Sequence, residues 1–238
     1  MEQKIVLITG CSSGIGLSLA IHLASDPSKT YKVYATMRNL DKKQRLLESV
    51  RDLHNDTMDI LQMDITDQQS IGTVQRSITE GRVDILVCNA GLPFNEVYCA
   101  SKFAIEGVCE SLAILLQQFT IHVSLIECGP VNTDFLRNLK KTEVTDESVE
   151  VDAHTRHLYE MYLQHCEKMF QNAAQDTDDI IQVFKEVIQA QCPVFRYYTN
   201  SALLPLSSLK LTAHDGSQYI RAMSRLIFSS DENAGKLK

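Results

Sequence analysis

The chain has 238 residues, with 23 Lys+Arg against 30 Asp+Glu for a formal net charge of −7, 44 % apolar residues and 22 % charged. These proportions are those of an average globular chain and exclude a disordered, collagenous or coiled-coil one, while the length suits a single large domain. The acidic balance argues against nucleic acid as a partner, and no apolar run reaches the roughly 20 residues of a membrane span.

Residues 5–8 form a continuous β-rich run, followed by a glycine loop and an amphipathic helix over 15–24. Strands are expected at 32–37, 58–63 and 83–88, with helices over 42–52 and 67–77 behind the first two. Apolar runs without alternation belong to strands covered on both faces. Their regular alternation with helices gives an α/β fold, a Rossmann-type doubly wound parallel sheet. A helix over 101–118 follows, then a strand over 121–127 that ends at Gly129-Pro130, and a polar connection over 138–147. Helices over 148–171 and 178–190, a strand over 194–198 and a helix over 216–228 complete the pattern. With no repeat and no low-complexity linker, one domain over 1–228 is expected, with a frayed polar tail over 229–238.

No basic and apolar leader precedes the first strand. The seven cysteines, at 11, 88, 99, 109, 128, 166 and 192, include no CxxC pair and read as reduced thiols of a cytoplasmic protein. His154, His157, His165 and Cys166 are the nearest approach to a metal-ligand set. A set of this kind more often marks a polar helix beside a pocket than a metal site, so no metal is expected.

Thr9-Gly10-Cys11-Ser12-Ser13-Gly14-Ile15-Gly16 stands where the first strand turns into the first helix. Gly10 allows a tight turn, Gly14 lets backbone amides approach a pyrophosphate, and Gly16 permits close helix–strand packing. The helix N-terminus then offers unpaired N–H groups and a positive dipole end to phosphates, with Ser12, Ser13 and Ile15 as the intervening loop contacts. The second strand ends in Thr36-Met37-Arg38 and offers no carboxylate for ribose hydroxyls until Asp41. Arg38 can pair bidentately with a 2′-phosphate, with the Ser13 hydroxyl in reach of the same group, so the reading is NADP(H) rather than NAD(H).

Taken with Asn89-Ala90-Gly91 and Tyr98-Cys99-Ala100-Ser101-Lys102, the glycine loop makes the sequence resemble the short-chain dehydrogenase/reductase family. TGCSSGIGL, VYATMR, EGRVDILVCNAG, VYCASKFAIEG and SLIECGPVNT are most similar to its 17β-hydroxysteroid dehydrogenase branch, and nearly as similar to the photoreceptor-type retinol dehydrogenases. The resemblance runs from residue 4 to about 228. It implies an oxidoreductase that interconverts 17-keto and 17β-hydroxy steroids of the estrone/estradiol type with NADP(H), its C-terminal helices on the substrate side. It further implies Tyr98 as the acid/base at the substrate oxygen. Lys102, one helical turn on, would bind the nicotinamide ribose and lower the tyrosine's pKa, and the i, i+4 spacing puts both on one helix face. By the same resemblance Asp64 contacts the adenine amine, Asn89 helps to seat the adenosine ribose, Val131 and Thr133 lie where the nicotinamide carboxamide is held, and His165 meets the far end of the substrate.

Only six residues, 92–97, separate Gly91 from Tyr98. Family members place a helix and a strand there, and the strand ends in the catalytic serine that hydrogen-bonds the substrate carbonyl. A strand-plus-helix unit needs about 30 residues, so it does not fit. Ser101 points about 100° away from Lys102 on the helix and is a poor stand-in. Two arrangements are expected: the 121–127 strand pairs directly with the 83–88 strand, or it keeps its place beside a gap. Strong activity is expected of neither, and the family's usual homodimer is in doubt because the absent helix belongs to it. A retinol dehydrogenase and a catalytically inert nucleotide-binding variant are the competing readings.

Overall fold

The computed structural model describes residues 2–50, 56–90, 95–134, 152–212 and 215–228. In chain order its elements are β1 (Lys4–Ile8), α1 (Gly14–Ala24), β2 (Tyr31–Met37), α2 (Gln44–Ser49) behind a 3₁₀ turn (Leu40–Lys43), β3 (Met58–Gln62), α3 (Gln68–Ser77), β4 (Ile85–Val87) and α4 (Asn95–Leu116). Then come β5 (Leu125–Glu127), α5 (Ala153–Ala173), α6 (Thr177–Gln189), β6 (Arg196–Tyr198), α7 (Leu204–Thr212) and α8 (Ser217–Phe228). The described residues fall into two compact units. One lies within Met1–Leu125, Thr133–Glu143 and Thr177–Phe195, the other within Ile126–Asn132, Val144–Asp176 and Arg196–Lys238.

The first unit is built on a parallel sheet of order β3-β2-β1-β4, the first half of a doubly wound sheet. Val6 stands opposite Val33 and Ile85, and Ile8 opposite Ala35 and Val87. Because alternate residues of a strand share a face, Val6, Ile8, Val33, Ala35 and Met37 form one buried layer, packed with Leu19 and Leu23 of α1, Leu46 of α2 and Ile181 of α6. The opposite face carries a smaller cluster of Ile5, Tyr34 and Ile78, flanked by Leu7 and Leu61. The continuous apolar runs of β1 and β2 thus have the two-sided burial expected of them.

β4 is shorter than its apolar run, three residues instead of six, because it pairs only with β1. Among the described residues no strand joins its outer edge, and Leu86 is 59 % exposed. β5 is likewise shorter than residues 121–127: Thr120 takes a left-handed conformation (φ 57°), and the Ile121 N–H donates back to the Leu116 carbonyl, so the turn that ends α4 uses up the first residues of the run. β5 pairs with β6 and not with β4. The Leu125 N–H donates to Phe195 O (2.7 Å) and the Thr199 N–H to Glu127 O (3.2 Å), bonds that advance together along both strands in the parallel sense. The first of the two expected arrangements therefore does not occur.

In the second unit α8 packs on α5 and α7, and Arg196 forms an ion pair with Glu127. Asp152 caps α5 by accepting from the Thr155 N–H (3.0 Å). No described helix is long and apolar enough to cross a membrane. The expected polar connection over 138–147 and the tail over 229–238 lie outside the described residues.

Candidate active site

The glycine loop leaves β1 through Gly10 (φ 76°) and enters α1 at Gly14 (φ 60°), both in the left-handed region that a side chain disfavours. Gly16 is fixed by crowding instead. A Cβ there would stand 2.5 Å from Asn89 Nδ2 and 2.6 Å from the Gly10 carbonyl oxygen. The Asn89 amide donates to Thr9 O (3.0 Å) and Gly10 O (3.3 Å), while the Thr9 hydroxyl accepts from the N–H groups of Asn89 and Ala90, both at 2.9 Å. The end of β1 and the end of β4 are thereby stitched into one cradle. Thr9 is a member that the glycine spacing does not single out, although its place directly before Gly10 was a signal.

At the mouth of the cradle, Ser13 occupies the N-cap position of α1 but makes no side-chain cap, and no acidic residue occupies the first turn. By contrast α3 is capped by Asp67, which accepts from the Gln69 N–H. The first N–H groups of α1 therefore point to where an anion fits, next to half-buried Ser12, Ser13 and Ile15. Thr133 closes the other side: a Cβ on Gly14 would lie 3.2 Å from its methyl group. Its neighbour Asp134 pairs with Arg45 of α2 (3.2 Å). A cradle that a single methyl group would fill, with an uncapped helix start, suits a dinucleotide.

The residues expected at the adenosine end, Arg38 and Asp64, follow β2 and β3. Arg38 is exposed, whereas Met37 before it is 2 % exposed and belongs to the core, so of the two only Arg38 has a side chain open to the surroundings. The Asp64 carboxylate accepts from the Thr66 N–H (2.9 Å) and hydroxyl (2.7 Å). Those bonds, and then the Arg38 guanidinium, hold its carboxyl below the usual range.

Tyr98 and Lys102 both stand on α4, half-buried on one face, with Lys102 Nζ 5.4 Å from the centre of the Tyr98 ring. The Cys88 thiol, next to Asn89, is pushed up by desolvation and by Cys109 and drawn back down by the Lys102 ammonium. The Lys102 ammonium is thus near enough to act on the end of β4, where the cradle begins. The Ser101 hydroxyl donates to the Tyr98 carbonyl (2.7 Å).

The structure therefore brings together Gly10, Gly14, Gly16, Asn89 and Thr133, pairs Tyr98 with Lys102, and sets Arg38 and Asp64 just past the paired ends of β2 and β3. Val131 and His165 belong to the second unit. Val131 is buried and forms a single parallel bridge with Gln175. His165, on α5, has a buried Nε2 with no hydrogen-bond partner. Among the described residues no group of three or more His, Cys, Asp or Glu could hold a metal ion.

Comparison with known proteins matches this geometry. The short chain dehydrogenase family model matches residues 4–97 and 92–144, two pieces that meet at 92–97. The 17-beta-hydroxysteroid dehydrogenase type 1 of Homo sapiens is 40 % identical over 288 residues, covering 96 % of this chain and 87 % of that protein. Retinol dehydrogenase 8 of Homo sapiens is 36 % identical over 282 residues, covering 94 % of this chain and 90 % of that protein. Since 96 % of 238 residues is about 228, about 60 of the 288 positions aligned with the first have no counterpart here. A short-chain dehydrogenase from Streptomyces avermitilis has the same fold, with a TM-score of 0.66 at 17 % identity over 92 % of this chain and 99 % of that one.

Proposed function

The chain belongs to the short-chain dehydrogenase family of oxidoreductases, and on that footing we propose that it binds NADP(H) and interconverts a 17-keto and a 17β-hydroxy steroid of the estrone/estradiol type, with turnover held low by the segment it lacks. The observation that carries the reading is the Tyr98–Lys102 pair on one face of α4. When bound, the dinucleotide supplies or takes up the hydride. Tyr98 gives a proton to the substrate oxygen in reduction and receives it in oxidation. Lys102 holds the nicotinamide ribose and stabilises the charge on the phenol oxygen between those events. Residues 10 and 12–16 hold the pyrophosphate, Arg38 and Ser13 the 2′-phosphate, Asp64 the adenine, Asn89 the cradle and the adenosine ribose, and Val131 and Thr133 the carboxamide. His165, whose Nε2 is buried without a partner, takes the far end of the steroid.

The identity to the steroid enzyme favours a steroid over a retinoid, which is the second choice of substrate. A catalytically inert nucleotide-binding protein is the competing reading. It is favoured by the interruption at 92–97 and by the Ser101 hydroxyl, which is turned to the Tyr98 carbonyl and so does not replace the missing serine. Loss of one such donor to a developing oxyanion costs about 10²–10³ in rate.

Purified protein titrated with NADPH and NADH, then supplied with estrone or retinal, tests the proposal. We expect tighter binding of NADPH and slow reduction of estrone that Tyr98→Phe abolishes. Arg38→Ala should weaken NADPH by about tenfold or more and leave NADH unchanged, the effect of removing a charged partner from a phosphate. A coenzyme complex without turnover of either substrate leaves the inert reading, and no complex with either coenzyme ends both.

A further inference from the structure

We propose that Gln175 is a positioning residue for the coenzyme: its backbone clasps residues 130–132 and its side chain locks onto Thr199, which fixes the segment leading into Thr133. The inference rests on the coenzyme-binding reading of the glycine cradle.

Gln175 is held from both sides. Its N–H donates to the Pro130 carbonyl (2.9 Å), and its own carbonyl accepts from the Asn132 N–H (2.8 Å), one parallel bridge around Val131. Its side-chain amide is equally committed. Nε2 donates to the Thr199 carbonyl (2.8 Å), and Oε1 accepts from the Thr199 hydroxyl (2.7 Å). The amide cannot rotate without losing both bonds. Thr199 in turn donates its N–H to Glu127 at the end of β5. A closed circuit results, from Glu127 through the chain to Val131, across to Gln175, on to Thr199 and back to Glu127, and all of it lies within the second unit.

β5 and β6 have hydrogen bonds and an ion pair of their own, so the Gln175 side chain is not what pairs them. What it adds is confinement of residues 130–132. The next residue along the chain is Thr133, whose methyl group stands against Gly14 of the cradle. A clasp one peptide bond upstream restricts where Thr133 can sit. That bears on the nicotinamide end of the coenzyme and leaves the adenosine end, served by Arg38 and Asp64, untouched.

The test compares two ligands that share the adenosine end, NADPH and 2′,5′-ADP, by equilibrium titration. Gln175→Ala should weaken NADPH by about tenfold, the worth of two neutral hydrogen bonds, and leave 2′,5′-ADP within about twofold. Thr199→Val, which removes only the hydroxyl, should give the same split at about three- to fivefold, and Thr199→Ser should restore wild-type binding. Thr199→Val decides the matter should Gln175→Ala fail to fold. Equal loss of both ligands, or loss of neither, overturns the positioning role. If the unaltered chain binds neither ligand, the coenzyme reading falls and takes this inference with it. If it binds both and the variants match it, only this inference falls.

Discussion

A methyl group has opposite consequences at two glycines of this chain. At Gly16 it would meet Asn89 Nδ2 at 2.5 Å and the Gly10 carbonyl oxygen at 2.6 Å, both of them parts of the cradle. At Gly107, in the interior of α4, it would meet nothing within 4 Å. Gly16→Ala is therefore expected to cost about 1–3 kcal/mol of overpacking and to abolish nucleotide binding. Gly107→Ala should gain about 0.5–1 kcal/mol by removing backbone freedom from a helix. Urea melts with and without NADPH check both. Cys11 lies under the same loop, fully buried, and burial pushes its thiol from 9.0 up to about 12. The thiol stays protonated in the folded chain and ionises near 9.0 once unfolded. Between those values the folded state holds the extra proton, so stability falls as pH rises through that window. From pH 8 to pH 10 the loss should be about 1.4 kcal/mol, measured as the difference between the parent chain and Cys11→Ala, which lacks the titration.

At the scale of elements, legibility followed how local the cause was. β1 and β2 were readable because each is an apolar run held by neighbours on both sides. The cradle was readable because its glycines sit within eight consecutive residues, where the turn itself imposes them. β4 is shorter than its sequence suggests: the run is that of a two-sided strand, but its outer edge has no strand among the described residues, and Leu86 is exposed. α4 shows the same mismatch. At about 100° per residue, Tyr98, Lys102 and Cys109 fall within about 40° of one another on its half-buried side, while Phe103, Val108, Ile114 and Leu115 on the remainder are exposed. Apolar residues that reach this far round a helix suit burial on more than one side. The Gln175–Thr199 lock had no signature at all, since 24 residues separate two ordinary polar side chains and no helix or strand period relates them.

For the whole molecule, the exposed side of β4 and the apolar breadth of α4 share one cause. The family match breaks at 92–97, about 60 of the positions aligned with the human relative have no counterpart in this chain, and both elements border that interruption. Placing the corresponding segment of that enzyme between Gly91 and Leu92 should supply a strand for the outer edge of β4 and a hydroxyl opposite Tyr98. Two independent measurements then have to move together. Cys88, now exposed at the end of β4, should react more slowly with iodoacetamide as the edge is covered. Estrone reduction with NADPH should rise by about 10²–10³, the worth of one donor to a developing oxyanion. An insertion carrying alanine in place of the serine separates the two: protection of Cys88 without the gain in rate places the defect in the missing hydroxyl. If the serine-bearing insertion protects Cys88 and still leaves the rate unchanged, the defect lies in the Tyr98–Lys102 pair itself and the oxidoreductase reading of this chain fails.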